Sequence, residues 1–394
     1  MKRNFTIWLL AGGLLLHSLQ LMAQKSGQRT LNTGAAFLMV NPDARSSGTG
    51  DAITGLEPDA NALWGNAAKI VFAGDWGVSA SYSPWMWEMN NSDQHTNLGY
   101  VAGFKNFNDN REGIGASMRY FANGTVVFRD DNGTEIQRYH PKEYAIDLTY
   151  ARKLGEHYSL AVSLRYIRSD LGQGSYNSLM QKPANTAAGD VGLYYQNYAH
   201  NDPAGNRYCW GVSFTNIGGK LNYTDDASRK AFLPMNLRIG GGYTFVNTIE
   251  HQFTITAEVN KLLIPTPPEY KLDASGQPTN EILKGKNPDR SVPDAIVSSF
   301  YDAPGGFNEE LKELTLAGGL EYTYQRQFFV RTGYFYENPI KGYRQHFSAG
   351  IGACIKGVSF DMAYIMPTSN LYQRRTLKFT VAYHIGATGA PALE

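Results

Sequence analysis

Apolar and polar side chains alternate along residues 376–385. Leu377, Phe379, Val381 and Tyr383 fall on one side; Lys378, Thr380 and His384 fall on the other. A strand has a side-chain period of two, so such a segment carries one apolar and one mixed face. The same alternation predicts strands at 75–83, 96–105, 113–121, 143–152, 158–168, 189–198, 207–217, 236–246, 251–261, 314–324, 328–336, 344–355 and 358–365. Their predicted outward faces include Ile146, Leu148 and Tyr150, then Leu160, Val162, Leu164 and Tyr166, then Trp210, Val212 and Phe214. Leu237 with Ile239, Phe253 with Ile255, and Phe347, Ala349 and Ile351 continue the series. Many segments of about ten residues separated by turns predict an all-β fold, a transmembrane outer-membrane β-barrel of about 14 antiparallel strands. Two soluble β-sandwiches would leave the tyrosines and phenylalanines at strand ends unexplained, whereas interfacial girdles account for them.

The connections carry a second signal. Links 84–95, 122–142, 169–188, 218–235, 262–313, 337–343 and 366–375 are long on average. The alternate links at 106–112, 153–157, 199–206, 247–250, 325–327 and 356–357 are short. Long extracellular loops and short periplasmic turns have this asymmetry. Before the first strand, 24–74 is rich in Gly, Pro, Asp and Asn, which specify turns and short helices. It reads as a plug inside the lumen. Residues 1–23 read as a signal peptide: a basic Met1-Lys2-Arg3-Asn4, an apolar Ile7 to Leu16, and a cleavage site after Leu21-Met22-Ala23. An uncleaved anchor is the alternative. The expected layout is signal peptide 1–23, plug 24–74, barrel 75–385 and a C-terminal tail at 386–394.

Composition narrows the function. A net charge of +1 gives no nucleic-acid footprint. No run approaches the roughly 18 apolar residues of a membrane helix. The two cysteines, Cys209 and Cys354, lie on predicted strands seven and twelve, nearly opposite each other. A disulfide needs Cα atoms within about 7 Å, so two free thiols are expected. No cofactor and no metal spacing is evident. Neither is a Gly-x-Ser-x-Gly elbow or a Walker loop, and the chain reads as a non-enzyme. His346 and Ser348 share a polar strand face, and no acidic orienter is evident from the sequence.

Three loops hold the candidate contacts. Trp85, Met86 and Trp87 form an apolar cluster in 84–95. Such residues are enriched at recognition surfaces and also in girdles. In 122–142, a hairpin turning at Asp131-Asn132-Gly133 carries Val127, Phe128 and Ile136. The 262–313 loop, kept irregular by Pro265, Pro267, Pro268, Pro278, Pro288 and Pro293, holds Ile264, Phe300 and Tyr301 and a short helix at 294–300. Loops of that length are usually functional or disordered. Lys105, Arg119, Arg165, Arg168, Arg238 and Arg331 are basic positions on strands that can line a lumen or snorkel. Gly240-Gly241-Gly242 and Gly318-Gly319 mark either wall irregularities or places where a plug touches the wall.

Asn41, Pro42, Asp43, Ala44 and Arg45, followed by Gly48, Gly50 and Asp51, form the most specific stretch. With Pro58-Asp59-Ala60-Asn61 leading to Trp64, Phe214-Thr215-Asn216-Ile217-Gly218 and Phe232-Leu233-Pro234, the chain resembles the PorV (LptO) family of the type IX secretion system in Bacteroidetes, whose members are FadL-like barrels. One departure is Trp64-Gly65-Asn66-Ala67-Ala68, where related barrels often carry Trp-Asn-Pro-Ala. The resemblance implies an outer-membrane carrier that binds the C-terminal signal domain of exported cargo at the large translocon barrel. It implies delivery to a sortase-like surface protease, in contact with the lipid bilayer and lipopolysaccharide. It leaves two alternatives open: a FadL-like channel for hydrophobic small molecules, and a lipid A deacylase using His346 and Ser348.

Overall fold

Pairing of the first strand with the last closes the sheet. Strand β1 (Trp76–Pro84) lies between β2 (Thr96–Phe107) and β14 (Thr376–Ile385). Around the wall between them run β3 (Glu112–Asn123), β4 (Lys142–Lys153), β5 (Tyr158–Asp170), β6 (Ala184–Gln196) and β7 (Arg207–Gly218). The circuit continues through β8 (Asn236–Val246), β9 (His251–Leu262), β10 (Leu314–Tyr324), β11 (Phe328–Tyr336), β12 (Gln345–Ile355) and β13 (Val358–Pro367). Every neighbouring pair is antiparallel, giving a closed barrel of 14 strands. In hydrocarbon each backbone N–H and C=O must find a partner within the protein, and closure leaves no open edge. The computed structural model describes residues 29–385 apart from 85–95, 130–134, 173, 177–178, 198–205, 227–228, 247, 249 and 369–374.

The alternation fixes the two faces. Leu148 and Leu164 pair directly across β4 and β5 and are 64% and 69% exposed on the outer wall. Their neighbours Asp147, Ser163 and Arg165 are buried in the lumen. Ile146, Tyr150, Val162, Tyr166, Trp210, Phe214, Ile239, Ile255, Phe347 and Ile351 are likewise exposed outward. Strand ends match the expected ones to within two residues, except that β6 begins at Ala184 rather than 189. Its first residues, Ala184-Asn185-Thr186-Ala187-Ala188, hold no large apolar side chain to carry the alternation. At the short-link end, Gln325 and Arg326 both have positive φ (51° and 53°), closed by Gln327 N–H donating to the Tyr324 carbonyl at 2.9 Å. This is the primed turn that suits strand twist.

Residues 29–74 run inside the barrel, as two 3-10 turns (Ala36–Met39, Ala67–Phe72) and two short helices (Ala44–Gly48, Ala62–Gly65). Ile53, Leu63, Ile70, Val71 and Phe72 pack against Tyr100, Phe104 and Tyr194 of the wall. A second apolar cluster, with Phe37, Leu38, Leu233, Met235, Leu263 and Ile264, lies nearer the long-loop end. Two wall glycines let this segment approach. A Cβ on Gly242 would sit 2.5 Å from the Gly55 carbonyl oxygen, and one on Gly319 2.5 Å from that of Thr49. The wall's bulge lies elsewhere, at Gly189–Val191 opposite β7. There Asn216 takes a φ of 61° and its N–H donates to Asp190 at 2.7 Å.

Beyond the long-loop end rise hairpins, including Val126–Arg129 with Glu135–Tyr139 and Glu269–Leu272 with Pro278–Lys284. The helix expected at 294–300 spans Val292–Ser298, started by Ser291, whose hydroxyl accepts from the Asp294 N–H. Replacing Leu164 by Arg places a charge on the lipid face. A cost of about 2–4 kcal/mol follows for a midplane position. Urea unfolding of the bilayer-inserted barrel checks it, with Ser163→Thr on the opposite face as control.

Candidate functional site: the filled lumen, its outer cavity and the cap

The segment 41–51 is keyed to the wall mainly through its backbone. Asp43 starts the helix Ala44–Gly48, accepting from the Arg45 and Ser46 N–H groups at 3.0 and 2.7 Å. Burial pushes its carboxyl up to about 6. The Asn41 side chain donates to Ser46 Oγ and Asp51 Oδ1 at 2.9 and 2.8 Å, closing the loop. Pro42 is buried beside it. From the wall, Thr380 Oγ1 accepts from the Ala44 N–H at 2.9 Å, and Lys378 donates to the Asn41 carbonyl at 2.5 Å. Ser348 Oγ donates to the Gly48 carbonyl and accepts from the Gly50 N–H, each at 3.0 Å. Both capacities of that hydroxyl are thereby used in docking. His346 stacks on Phe335 and lies 3.5 Å from Asp51. The pair is part of how the segment is held.

Arg45 supplies the charged key. Its Nε and one terminal nitrogen bind Glu321 bidentately at 3.1 and 2.9 Å. Glu321 also receives Arg331 at 2.6 Å, and Arg331 reaches Asp361 at 2.5 Å. Deeper in the lumen Lys69 donates to the Ile53 and Leu56 carbonyls at 2.7 and 2.9 Å. Burial lowers its ammonium to about 8. Asn66 accepts from the Ala68 N–H at 3.1 Å and donates to the Leu193 carbonyl at 3.0 Å.

A cap of ion pairs covers part of the outer end. Lys341 bridges Glu309 and Glu313 at 2.7 and 2.9 Å, and Lys261 bridges Glu310 and Glu313 at 3.0 and 2.9 Å. Arg29 adds a contact to Glu309 at 2.9 Å. Asp302 accepts from the Thr266 N–H at 3.3 Å, and burial, reinforced by Glu310 and Glu313, raises it to about 6. Outside this lattice stand exposed apolar side chains of the same loop: Val297, Phe300, Tyr301, Phe307 and Leu311.

Between the segment and the cap lies a cavity of about 470 Å³. At one wall the Leu38 carbonyl accepts from Arg119 at 2.9 Å and from Trp64 Nε1 at 3.4 Å. The Arg238 guanidinium lies 4.5 Å from the centre of the Trp64 ring. Arg165, also lining it, is bound by Asp147, Asp190 and Asn216.

The structure thus brings Asn41, Asp43, Ala44, Arg45, Gly48, Gly50 and Asp51 together, and sets Trp64 beside the cavity. Phe300 and Tyr301 are exposed on the cap. Ile264 corrects the expectation of a surface contact: it is 1% exposed, because it packs with Leu263, Met235 and Leu233 beneath the cap. Trp85, Met86 and Trp87 lie outside the described residues, as do the side chains of Phe128 and Ile136; Val127 is partly buried in its hairpin. Of the basic strand residues, Arg119, Arg165, Arg238 and Arg331 turn inward, whereas Lys105 and Arg168 do not. The cap lattice escapes a sequence reading, because Lys261 and Lys341 flank the acidic run from far along the chain. Cys209 and Cys354 are free thiols.

The model of the family "Type IX secretion system protein PorV" matches residues 23–269. The chain belongs to this family. It is a type IX secretion component of the outer membrane. Among solved structures, the Ralstonia pickettii toluene transporter TbuX is similar, with a TM-score of 0.50 and 11% identity over 86% of this chain and 97% of that one. The Pseudomonas putida toluene transporter TodX gives 0.50 and 10% identity over 91% and 99%. These likenesses are of fold. No curated protein sequence matches the chain.

Two outcomes follow from the ionic geometry. Glu321→Ala leaves Arg45 and Arg331 buried without their shared carboxylate, which costs about 3–5 kcal/mol. Limited proteolysis in detergent should then cleave 41–74 while the barrel wall survives; an uncut segment would contradict it. For Asp302, the folded carboxyl titrates above the unfolded one, so the folded state holds more protons between about pH 4 and 6. Cap stability therefore falls as pH rises through that window. Hydrogen exchange of 262–313, corrected for intrinsic rates, should be slower at pH 4.5 than at pH 7, and Asp302→Asn should flatten the difference.

Proposed function

We propose that this PorV-family protein captures exported proteins by their C-terminal signal domains at the large translocon barrel and hands them to a sortase-like surface protease. The observation that carries this reading is the apolar surface on the cap. Phe300, Tyr301 and Phe307 are 47%, 55% and 73% exposed, on a loop beyond the bilayer where lipid does not cover them. Exposed apolar clusters outside the membrane mark interaction sites. The ion-paired base beneath holds them in place, which reduces the ordering cost of binding. The outer wall supplies an anchor that diffuses in the membrane plane, next to bilayer and lipopolysaccharide.

The rival is passage of small hydrophobic molecules, the activity in the names of TbuX and TodX. The packed cluster of Ile53, Leu63, Ile70 and Phe72 below the cavity favours the carrier, since it fills the path toward the short-link end. No catalytic step enters this reading.

Co-purification from the native host in mild detergent tests it. Recovery of a very large barrel, a sortase-like protease and exported proteins sharing a C-terminal domain is expected; the barrel alone with bound lipid would favour the channel. Removing the whole 262–313 loop is a poor probe, because Ile264, Thr266 and Glu313 are buried in the packing beneath the cap. Exchanging Phe300, Tyr301 and Phe307 together for Ser keeps every ion pair of that base and removes from it only the Phe300 ring, centred 5.7 Å from Lys261 Nζ. Cargo recovery should drop about tenfold or more, as for loss of a few anchor residues. Undiminished cargo with the triple variant would exclude the cap as the recognition face.

A further inference from the structure

Arg119 is 1% exposed, and only one of its terminal nitrogens is engaged, by the Leu38 carbonyl. Its Nε and the other terminal nitrogen have no hydrogen-bond partner among the described residues. The carboxylates that act on it electrostatically, Asp147 and Asp190, are both bound by Arg165. Across Trp64, Arg238 has an Nε with no hydrogen bond, and its NH1 faces Glu258 at 3.2 Å without hydrogen-bond geometry. Both guanidinium groups line one cavity, Arg238 ion-paired with Glu258; their unbonded nitrogens lie just beneath its surface, within reach of a ligand after a small side-chain shift. Native proteins rarely leave such donors idle, because burial without a partner is costly. A planar fork with two free N–H groups matches a carboxylate.

The rest of the lining says what the carboxylate belongs to. Leu31, Val40, Leu262 and Phe335 offer apolar wall, but Thr215, Asn236, Asn260 and Thr315 interrupt it. A saturated acyl chain would desolvate those amides and hydroxyls and return no hydrogen bond. A peptide brings its own N–H and C=O groups to them. The cavity's 470 Å³ is in the range of sites that enclose small ligands, enough for the last few residues of a chain.

We infer that the outer cavity receives the carboxyl-terminal end of an exported chain, its terminal carboxylate bound by Arg119 and Arg238. This rests on the carrier reading above and adds a chemical requirement to it: the cargo must end in a free carboxylate within reach of the lumen. Arg119 is the main fork and Arg238 the second donor, set against Trp64.

The test uses the full-length protein in detergent micelles. The probe is the C-terminal segment of one co-purifying exported protein, synthesised as the free acid and as the carboxamide with a fluorophore at its N-terminus. On the wild type the carboxamide should bind about tenfold more weakly or worse, the loss expected for a charge-assisted pair. With Arg119→Gln the acid–amide difference should shrink severalfold, and with Arg119→Gln and Arg238→Gln together it should disappear. Heat-modifiable migration on gels reports that the variant barrel is folded, and the acid–amide comparison on wild type needs no variant. Equal binding of acid and amide on the wild type overturns the proposal, as does a difference that is undiminished in Arg119→Gln. Arg119-dependent binding of palmitate, with the two peptides indistinguishable, would assign the cavity to a free fatty acid and also overturn it. If the segment fails to bind while whole cargo still co-purifies, this site falls and the carrier reading stands. If no cargo co-purifies, the carrier reading falls first.

Discussion

A sheet of fourteen strands closes around more space than its own side chains occupy, and in a membrane that space must hold water or be filled. Here it is filled, and the means of filling governs much else. The inward face of each strand is polar by alternation, so whatever lies inside must satisfy hydroxyls, carboxylates and guanidinium groups as well as exclude water. Residues 41–51 do this with backbone groups: Ser348, Thr380 and Lys378 each bond to main-chain atoms of the segment. That explains its small residues. Ala44, Ser46, Ser47, Gly48 and Gly50 bring the backbone within reach of short wall side chains, where larger ones would hold it away.

Charge sets position more than it sets stability. A buried ion pair returns little net free energy against a well-packed apolar alternative, yet it is intolerant of losing one member. The chain Arg45–Glu321–Arg331–Asp361 has that character, joining the segment to three strands through four side chains. Arg165 between Asp147 and Asp190 repeats the arrangement on the opposite wall without involving the segment. Balanced wall clusters of this kind make Arg119 stand out, since it shares their burial without a carboxylate of its own.

Much of the fold was legible because one period dominates the chain. Leu148 and Leu164 out, Asp147 and Arg165 in, follows directly from alternation, and strand ends fell where alternation stopped. Where it fades, as over Ala184–Ala188 or at the Gly189 bulge, the sequence signal fades too. The glycines at 242 and 319 read ambiguously until a partner backbone was placed against them. Ile264 misled because a long irregular loop suggests exposure, whereas its first residues fold back under the cap. Nothing local could reveal the cap, for Lys261, Lys341 and Glu313 meet only after the barrel has closed and brought β9, β10 and the link before β12 side by side.

That closure also explains how a long loop can be both irregular and useful. Prolines at 265, 267 and 268 keep its root irregular, and the hairpin and helix further out are local, so the order of its root must come from elsewhere. It comes from the base, where Lys261 at the end of β9 and Glu313 at the threshold of β10 join the two ends of the excursion through a single ion pair at 2.9 Å. A loop clamped at its roots pays less entropy on binding than its length implies, because the freedom it has left is that of its tip. The same clamp roofs the cavity. A chain end seated below and a domain resting on Phe300, Tyr301 and Phe307 above would share one rigid support, so the two contacts would act together, and each would raise the effective concentration of the other.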